Sequence, residues 1–202
     1  MFFVVCACSL HAQTIDSLFG NVPRSVLFMI DKTSRLDMLD LYNNGMEAKV
    51  ENTLGGQSEL LKKTDCFMSI RTSDAGTWQM RLFTTEKDTV IVCVSSLCAK
   101  GIISNIYAYD MDWKPLKIEF PKPPFDSFFK KGCELYSLQK QYILSALREV
   151  PVSIALNDST PTLTYRLDVS GMSAEDSQLA AELLAPVKYE WERGRFILKE
   201  QE

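Results

Sequence analysis

The chain has 202 residues, of which 46% are hydrophobic and 24% are charged, and its formal net charge is −4 at an isoelectric point near 5.2. This is the composition of an ordinary globular protein that is long enough to bury a core without cross-links. The sequence has no run of five or six like charges and no stretch of 18 consecutive apolar residues. We therefore expect neither a nucleic-acid-binding patch nor a transmembrane helix.

The first twelve residues predict an export signal. Residues 2–10 are almost wholly apolar, and Ala12 precedes the polar Gln13, as at the end of a signal peptide. No Lys or Arg comes before the apolar run, which a start codon assigned too far downstream would explain. We expect residues 1–12 to be a signal peptide, truncated or complete. A buried first strand and a lipid attached at Cys8 are the alternatives.

Cleavage after residue 12 would remove His11, the one histidine of the chain. Imidazole is the usual general base near neutral pH and the commonest metal ligand. Its loss excludes Ser-His-Asp and Cys-His catalysis and His-containing zinc sites, so we expect no metal and no cofactor. Four cysteines would remain, Cys66, Cys93, Cys98 and Cys133. Their spacing does not decide between free thiols and disulfides.

Two helices are predicted near the start of the mature chain. Pro23 suits the first turn of a helix, and apolar residues follow it at helical spacing. In the second helix Ser34 and Asp37 have the spacing of a capping box. The sequence YNNG, with Gly45 in the left-handed position, is a typical helix end.

An antiparallel meander is predicted next. Residues 48–56 indicate a strand closed by a Gly-Gly turn, and 58–64 a short helix. In 77–83 apolar residues alternate with polar ones, as in a strand with one wet face, whereas 88–94 is apolar on both faces and is predicted to lie centrally in the sheet. The predicted strands are 66–72, 77–83, 88–94, 101–110 and 113–120.

The remainder of the chain has clear local signals. Three prolines and three lysines within 120–132 indicate a stiff, extended link. A helix is predicted at 134–149, a hairpin from 152–158 and 162–169, and a helix that begins after Ser173. A last hairpin turns at Arg193-Gly194.

This order of elements predicts an α+β fold with antiparallel sheets, each covered on one face by helices. We expect an N-terminal part of helices and meander at 13–120, a Pro/Lys link at 121–132 and a C-terminal α+β half at 133–202. The segments 49–83 and 167–198 share the order strand, glycine turn, helix, hairpin, so the two halves are candidates for a repeat.

Two stretches of the sequence are distinctive. They are NVPRSVLFMIDKTSRLDMLDLYNNGMEAKVENTLGG at 21–56 and SNIYAYDMDWKPL at 104–116. Together they resemble an uncharacterised family of exported proteins from Bacteroidetes-type bacteria, over about 19–129 and more loosely over the rest. The resemblance implies an envelope or secreted location, and it supplies no catalytic residues.

Two pairs of acids are weak candidates for catalysis. Asp37 and Asp40 lie three residues apart on the second predicted helix, and Asp110 and Asp112 flank Met111 before a tryptophan. Paired carboxylates are sufficient for a glycosidase when they face one another across a sugar. The alternative is that Asp37 caps its helix, Asp40 is solvated and 109–115 is a turn at a strand end.

Three aromatic residues, Trp113, Tyr189 and Trp191, are weak candidates for binding a ligand by stacking. Each also fits the apolar side of a strand or turn, where it would belong to the core. The sequence contains no GxGxxG, P-loop or GxSxG motif.

The leading hypothesis is an exported envelope protein, periplasmic, associated with the outer membrane or secreted, that works as a non-catalytic binding or scaffolding module. A carboxylate-dependent hydrolase acting on glycan is the alternative. The expected partners are a glycan or another envelope protein, and a protein bound at an exposed sheet edge is a third possibility.

Overall fold

The computed structural model describes residues 13–85, 88–99, 101–132 and 138–199. The predicted signal peptide with His11 therefore lies outside the described residues, as do Cys133 and the start of the helix predicted at 134–149.

The described residues form four α-helices, a short 3-10 helix at Phe125–Phe128 and ten strands. The helices are α1 (Ile15–Gly20), α2 (Lys32–Asn43), α3 (Leu138–Leu147) and α4 (Ala174–Leu183). The first six strands are β1 (Lys49–Glu51), β2 (Gln57–Lys63), β3 (Phe67–Arg71), β4 (Gly76–Thr84), β5 (Thr89–Cys98) and β6 (Ile102–Tyr109). The last four are β7 (Val152–Leu156), β8 (Thr162–Leu167), β9 (Val187–Glu192) and β10 (Arg195–Lys199).

The strands form two antiparallel sheets, which confirms the predicted α+β class. The larger sheet is a six-stranded meander in the order β1-β2-β3-β4-β5-β6, and the smaller has the order β10-β9-β8-β7. Each sheet therefore has two edge strands. β6 is an edge of the larger sheet and pairs only with β5, and β7 is an edge of the smaller sheet and pairs only with β8 among the described strands.

One face of the larger sheet packs against α1 and α2. Because side chains alternate between the faces of a strand, every second residue of the central strands points to these helices. The apolar core on this side includes Met68, Ile70, Trp78, Met80, Ile91 and Cys93, with Leu18, Phe19 and Met38 from the helices. These side chains are almost completely buried.

The other face of the larger sheet shares a core with the smaller sheet, α3 and α4. Phe83, Val92 and Val94 contribute from the larger sheet, and the smaller sheet adds Leu163, Tyr165, Val187 and Trp191. The helices contribute Ile143, Leu147, Ala180 and Leu183. Strand β5 is therefore apolar on both faces, as its sequence predicts. Residues from both sides of 121–132 meet in this core, and the proposed division of the chain at that segment stays a prediction.

The helix predicted from Pro23 is wrong: residues 23–30 form successive turns, and the first helix is α1, at Ile15–Gly20. Thr14 caps α1 by accepting a hydrogen bond from the Ser17 N–H. The buried Arg35 donates to the carbonyl oxygens of Val22 and Ile30 at 2.9 and 2.6 Å. A side chain thus satisfies backbone groups that a helix would satisfy internally.

The predicted capping residue of α2 is also wrong, by three positions. Asp31 is the N-cap, and its carboxylate accepts from the Ser34 N–H at 2.9 Å. This hydrogen bond is the main cause that lowers the pKa of Asp31. The helix ends as predicted, with Gly45 in the left-handed region at φ 71°.

The helix predicted at 58–64 is strand β2. Pairing with β1 and β3 buries Leu60 in the core beneath α2, and a bulge at the next residue lets the strand carry two adjacent leucines. Tertiary pairing therefore overrides a local helical preference. The segment 49–83 consequently lacks the helix that the suggested repeat requires, whereas 167–198 contains α4.

The C-terminal predictions are confirmed. β7 and β8 form the predicted hairpin, Ser173 caps α4 by accepting from the Asp176 N–H, and β9 and β10 turn at Arg193-Gly194. Both turn residues have positive φ, 49° and 88°, as in the tight turns that match the twist of a hairpin.

Candidate functional site

A groove of about 980 Å³ lies beside the β6 edge of the larger sheet. Its lining comes from three separate parts of the chain: Ile106 of β6, the extended segment 117–122 and residues 194–196 at the start of β10. Three other grooves in the described residues have volumes of about 350, 410 and 380 Å³. A large concave surface is the usual first candidate for a binding site, and we call this one the edge groove.

The walls of the edge groove are apolar and fixed to the core. Phe120 and Phe196 pack against each other in its lining, with ring centroids 5.9 Å apart. Phe196 also packs on Trp191 at 4.9 Å and on Phe83 at 5.3 Å. Because these rings belong to the shared core, the groove has a preformed aromatic wall.

The rim of the edge groove is basic. Lys117, Lys122 and Arg195 are exposed there, and Glu119 is the one acidic side chain among the residues that line it. The rim thus carries a local charge of +2, the sum of three cations and one carboxylate, on a chain whose net charge is −4. Such a local excess of one sign attracts ligands of the opposite sign.

The strand edge beside the groove is covered at both ends. At one end the Ile102 N–H donates to the Asp168 carboxylate, and at the other the Leu116 N–H donates to the Ala108 carbonyl at 2.9 Å. Even-numbered residues of β6 therefore point their backbone groups away from β5, because these groups alternate along an antiparallel strand.

Between those ends the edge is bare. Ser104 and Ile106 are the even-numbered residues in the gap, and within the described residues their outward N–H and C=O groups have no hydrogen-bond partner. The opposite face of the same stretch carries Ile103 and Tyr107, which are 54% and 49% exposed. A bare strand edge thus lies between the edge groove and an exposed apolar pair.

A tight turn after β6 creates the opening. The Asp110 carboxylate accepts from the N–H groups of Asp112 and Lys114 at 2.9 and 2.8 Å. Trp113 takes φ 62° and donates its indole N–H to the Leu18 carbonyl. Within the described residues, the backbone after Trp113 pairs with β6 at Pro115 and Leu116, and the strand predicted at 113–120 is wrong. Residues 117–122 diverge from the edge and leave the groove between them.

The four acids proposed from the sequence lie outside the lining of the edge groove. Asp37 and Asp40 are exposed on α2, where the Asp40 carboxylate accepts from the Asn44 side chain. Asp110 holds the turn, and Asp112 is exposed beside Lys114. Asp112 borders the groove of about 410 Å³, whose lining within the described residues includes none of the other three.

The aromatic candidates are placed in the core. Trp113 and Trp191 are each 7% exposed, and Trp191 donates its indole N–H to the Thr84 carbonyl at 3.0 Å. Tyr189 is half-buried and meets the ring of Tyr165 edge-on. Trp191 packs on Phe196 of the groove lining, Tyr189 packs within the smaller sheet, and Trp113 packs on Tyr109 of β6.

Three of the six cysteines of the chain lie in the described residues, and all three are free thiols there. Cys98 is exposed, Cys66 is partly buried, and burial raises the pKa of the Cys93 thiol well above its usual range. Cys93 is therefore an unreactive core residue.

The described residues contain no group of three or more His, Cys, Asp or Glu side chains arranged to hold a metal ion. Nor do their helices include one with the length and hydropathy needed to span a bilayer.

These features define an α+β protein of two antiparallel sheets with a basic-rimmed groove at one sheet edge. The chain belongs to the family described as Protein of unknown function (DUF3256), whose family model matches residues 7–196. It is similar to a solved structure of a domain of an uncharacterized protein from Porphyromonas gingivalis W83, with 28% identity and a TM-score of 0.72. That match covers 90% of this chain and 97% of the other. No curated protein matches the chain.

The residues of the edge groove were not identified from the sequence. They lie in β6, in the segment predicted as a last meander strand and in the final hairpin, so only the fold brings them together. The available signal was the alternation of Ile118 and Phe120 with charged neighbours directly before the Lys/Pro-rich segment.

Proposed function

We propose that this protein is an exported, non-catalytic binding module of the bacterial cell envelope, and that the edge groove is its binding site. The observation that carries the proposal is the groove itself, which combines a preformed apolar wall with a basic rim. Apolar walls with a few placed polar groups are typical of binding sites.

The chemistry of the lining favours binding over catalysis. General acid–base catalysis needs a group that can gain and lose a proton at working pH. Among the described residues of the lining, Lys and Arg are cations and Glu119 is a single exposed carboxylate. The groove thus has the charge and apolar surface to bind an acidic ligand, but its described lining lacks a pair of acid and base groups for catalysis.

The export part of the proposal rests on the sequence. The apolar residues 2–10 followed by Ala12 fit a signal peptide, and the family resembled is one of exported proteins. The test is the mass of the protein from the envelope and medium of the producing bacterium. We expect a chain that begins at Gln13. An uncleaved chain confined to the cytoplasm would contradict export.

Retention in the envelope tests the binding role. Charge reversal of the rim in a Lys117→Glu/Lys122→Glu double variant should release much of the protein from the envelope fraction, because the bound partner would be lost. Arg24→Glu, an exposed reversal outside the groove, is the matched control. Equal retention of all three proteins, with unchanged melting temperatures, would contradict the proposed site.

A further inference from the structure

The bare edge of β6 and the edge groove together point to the shape of a ligand. Backbone N–H and C=O groups of Ser104 and Ile106 face outward at the groove, and an extended peptide offers the same groups at the same spacing. We propose, on the basis of the binding function above, that the ligand is an extended acidic segment of another protein, which adds as a strand to β6.

The length of the bare edge sets the length of the bound segment. Asp168 covers the edge at Ile102 and Leu116 covers it at Ala108, so within the described part of the chain the stretch 103–107 is open. Five residues at about 3.4 Å each give roughly 17 Å of strand. A segment of this length can form several main-chain hydrogen bonds with β6.

Both faces of an added strand would meet apolar surface. On one side lie the walls of the edge groove, Ile106, Ile118 and Phe120. On the other lie Ile103 and Tyr107, which are exposed in the unbound chain. Strand addition draws affinity from the main chain and specificity from such pockets for alternate side chains, so the segment should contain apolar residues on both faces.

The charge of the rim selects acidic residues in the segment. Lys117, Lys122 and Arg195 outnumber Glu119, so carboxylates beside the apolar side chains would be attracted. The same charge disfavours a second copy of this chain. Edge-to-edge pairing of two β6 strands would bring two basic rims to one interface, where like charges repel.

The direct test uses a labelled synthetic peptide about eight residues long with blocked ends, built from the repeat Val-Val-Glu-Glu so that each face of the strand carries both residue types. We call it the Val-Glu peptide. Fluorescence anisotropy with the purified mature chain should give saturable binding. The Lys117→Glu/Lys122→Glu variant should bind at least about tenfold more weakly, whereas Arg24→Glu should bind like the unchanged protein. Circular dichroism and melting temperature show that the variants fold.

Two N-methylated forms of the same peptide test strand addition itself. Methyl groups on the nitrogens of one set of alternate peptide residues would face β6 and remove the N–H groups that the peptide donates to β6. Methyl groups on the other set would face away. We expect the two forms to differ in affinity by about tenfold or more. Equal affinity of the two forms would overturn the proposal, because side chains alone would then account for binding.

Other outcomes also overturn it. These are no saturable binding, equal binding of a Val-Lys peptide, or tighter and equally rim-dependent binding of an acidic oligosaccharide. A dimer in sedimentation that the rim reversal dissociates would identify a second copy as the occupant. If the peptide fails while the rim variant still leaves the envelope, the partner class is wrong and the binding function stands.

Discussion

The edge strands β7 and β6 differ in whether their outward backbone groups have hydrogen-bond partners. In β7 the outward N–H groups of Ile154 and Leu156 donate to the side chains of Ser104 and Gln79, at 3.0 and 2.9 Å. In β6 the outward groups of Ser104 and Ile106 have no partner within the described residues. The β7 edge lies between the two sheets, where an unpaired backbone group is costly. The β6 edge lies at the surface, where water can be exchanged for a partner.

Side chains of the larger sheet therefore supply hydrogen-bond acceptors for the edge of β7 in the smaller sheet, whereas the edge of β6 in the larger sheet stays without partners among the described residues. Ser104 takes part in both, because its hydroxyl covers β7 while its backbone belongs to the bare stretch of β6. Arg81 adds a hydrogen bond to the Asn157 carbonyl at the end of β7. We infer that β7 contributes to stability and β6 to binding, and each can be tested separately.

The largest expected effect comes from uncovering β7. A Gln79→Met/Ser104→Ala double variant leaves two part-buried N–H groups without their acceptors, each at a cost of roughly 1–3 kcal/mol. We predict a loss of about 2–4 kcal/mol in the free energy of unfolding, measured by urea denaturation. Ser95→Ala, an exposed serine of the neighbouring strand, is the control. A loss equal to that of the control would show that these hydrogen bonds do not hold the edge.

A smaller effect on stability is expected from the ionisation of Tyr165 in β8, the strand that pairs with β7. Burial, and secondarily Tyr189, raises the pKa of Tyr165 in β8, which lies opposite Ile154. A raised folded-state pKa of a phenol means that stability is complete below the unfolded value near 10 and is lost as pH rises above it.

We therefore predict that unchanged protein loses about 1.4 kcal/mol per pH unit more than Tyr165→Phe does above pH 10. The two proteins should have the same stability at neutral pH. Unfolding free energies across the alkaline range measure this difference. Parallel pH profiles would mean that the Tyr165 hydroxyl ionises as readily in the folded protein as in the unfolded chain.

The smallest stability effect is expected at the bare edge. Ile103→Thr and Tyr107→Thr change exposed side chains on a strand and keep a residue suited to it, so the free energy of unfolding should change by no more than about 0.5 kcal/mol. The same variants should bind the Val-Glu peptide several-fold more weakly, about threefold to tenfold. A large loss of stability without a change in affinity would reverse the roles assigned to the two edges.

The elements that the sequence predicts correctly are those with local signals. Ser173 with its capping spacing and the Arg193-Gly194 turn fix α4 and the last hairpin without help from distant residues. The errors occur where distant contacts decide the structure. Residues 58–64 have helix-forming side chains yet pair as β2, and 23–30 form turns held by the hydrogen bonds of Arg35 to the Val22 and Ile30 carbonyls.

The candidate site was less predictable than the fold for the same reason. Phe120 and Phe196 touch in the lining of the groove although their positions in the sequence differ by 76. Nor does the sequence reveal which edge of a meander is bare. That depends on Trp113, whose left-handed backbone turns the following residues away from β6.

Amide hydrogen exchange of β6, followed by NMR with and without the Val-Glu peptide, tests the central claim most directly. The account predicts that exchange slows at Ser104 and Ile106, whose N–H groups face the open edge, and stays unchanged at Asn105, whose N–H faces β5. The rim variant should abolish the effect. Unchanged exchange at Ser104 and Ile106 in the presence of saturating peptide would contradict the account.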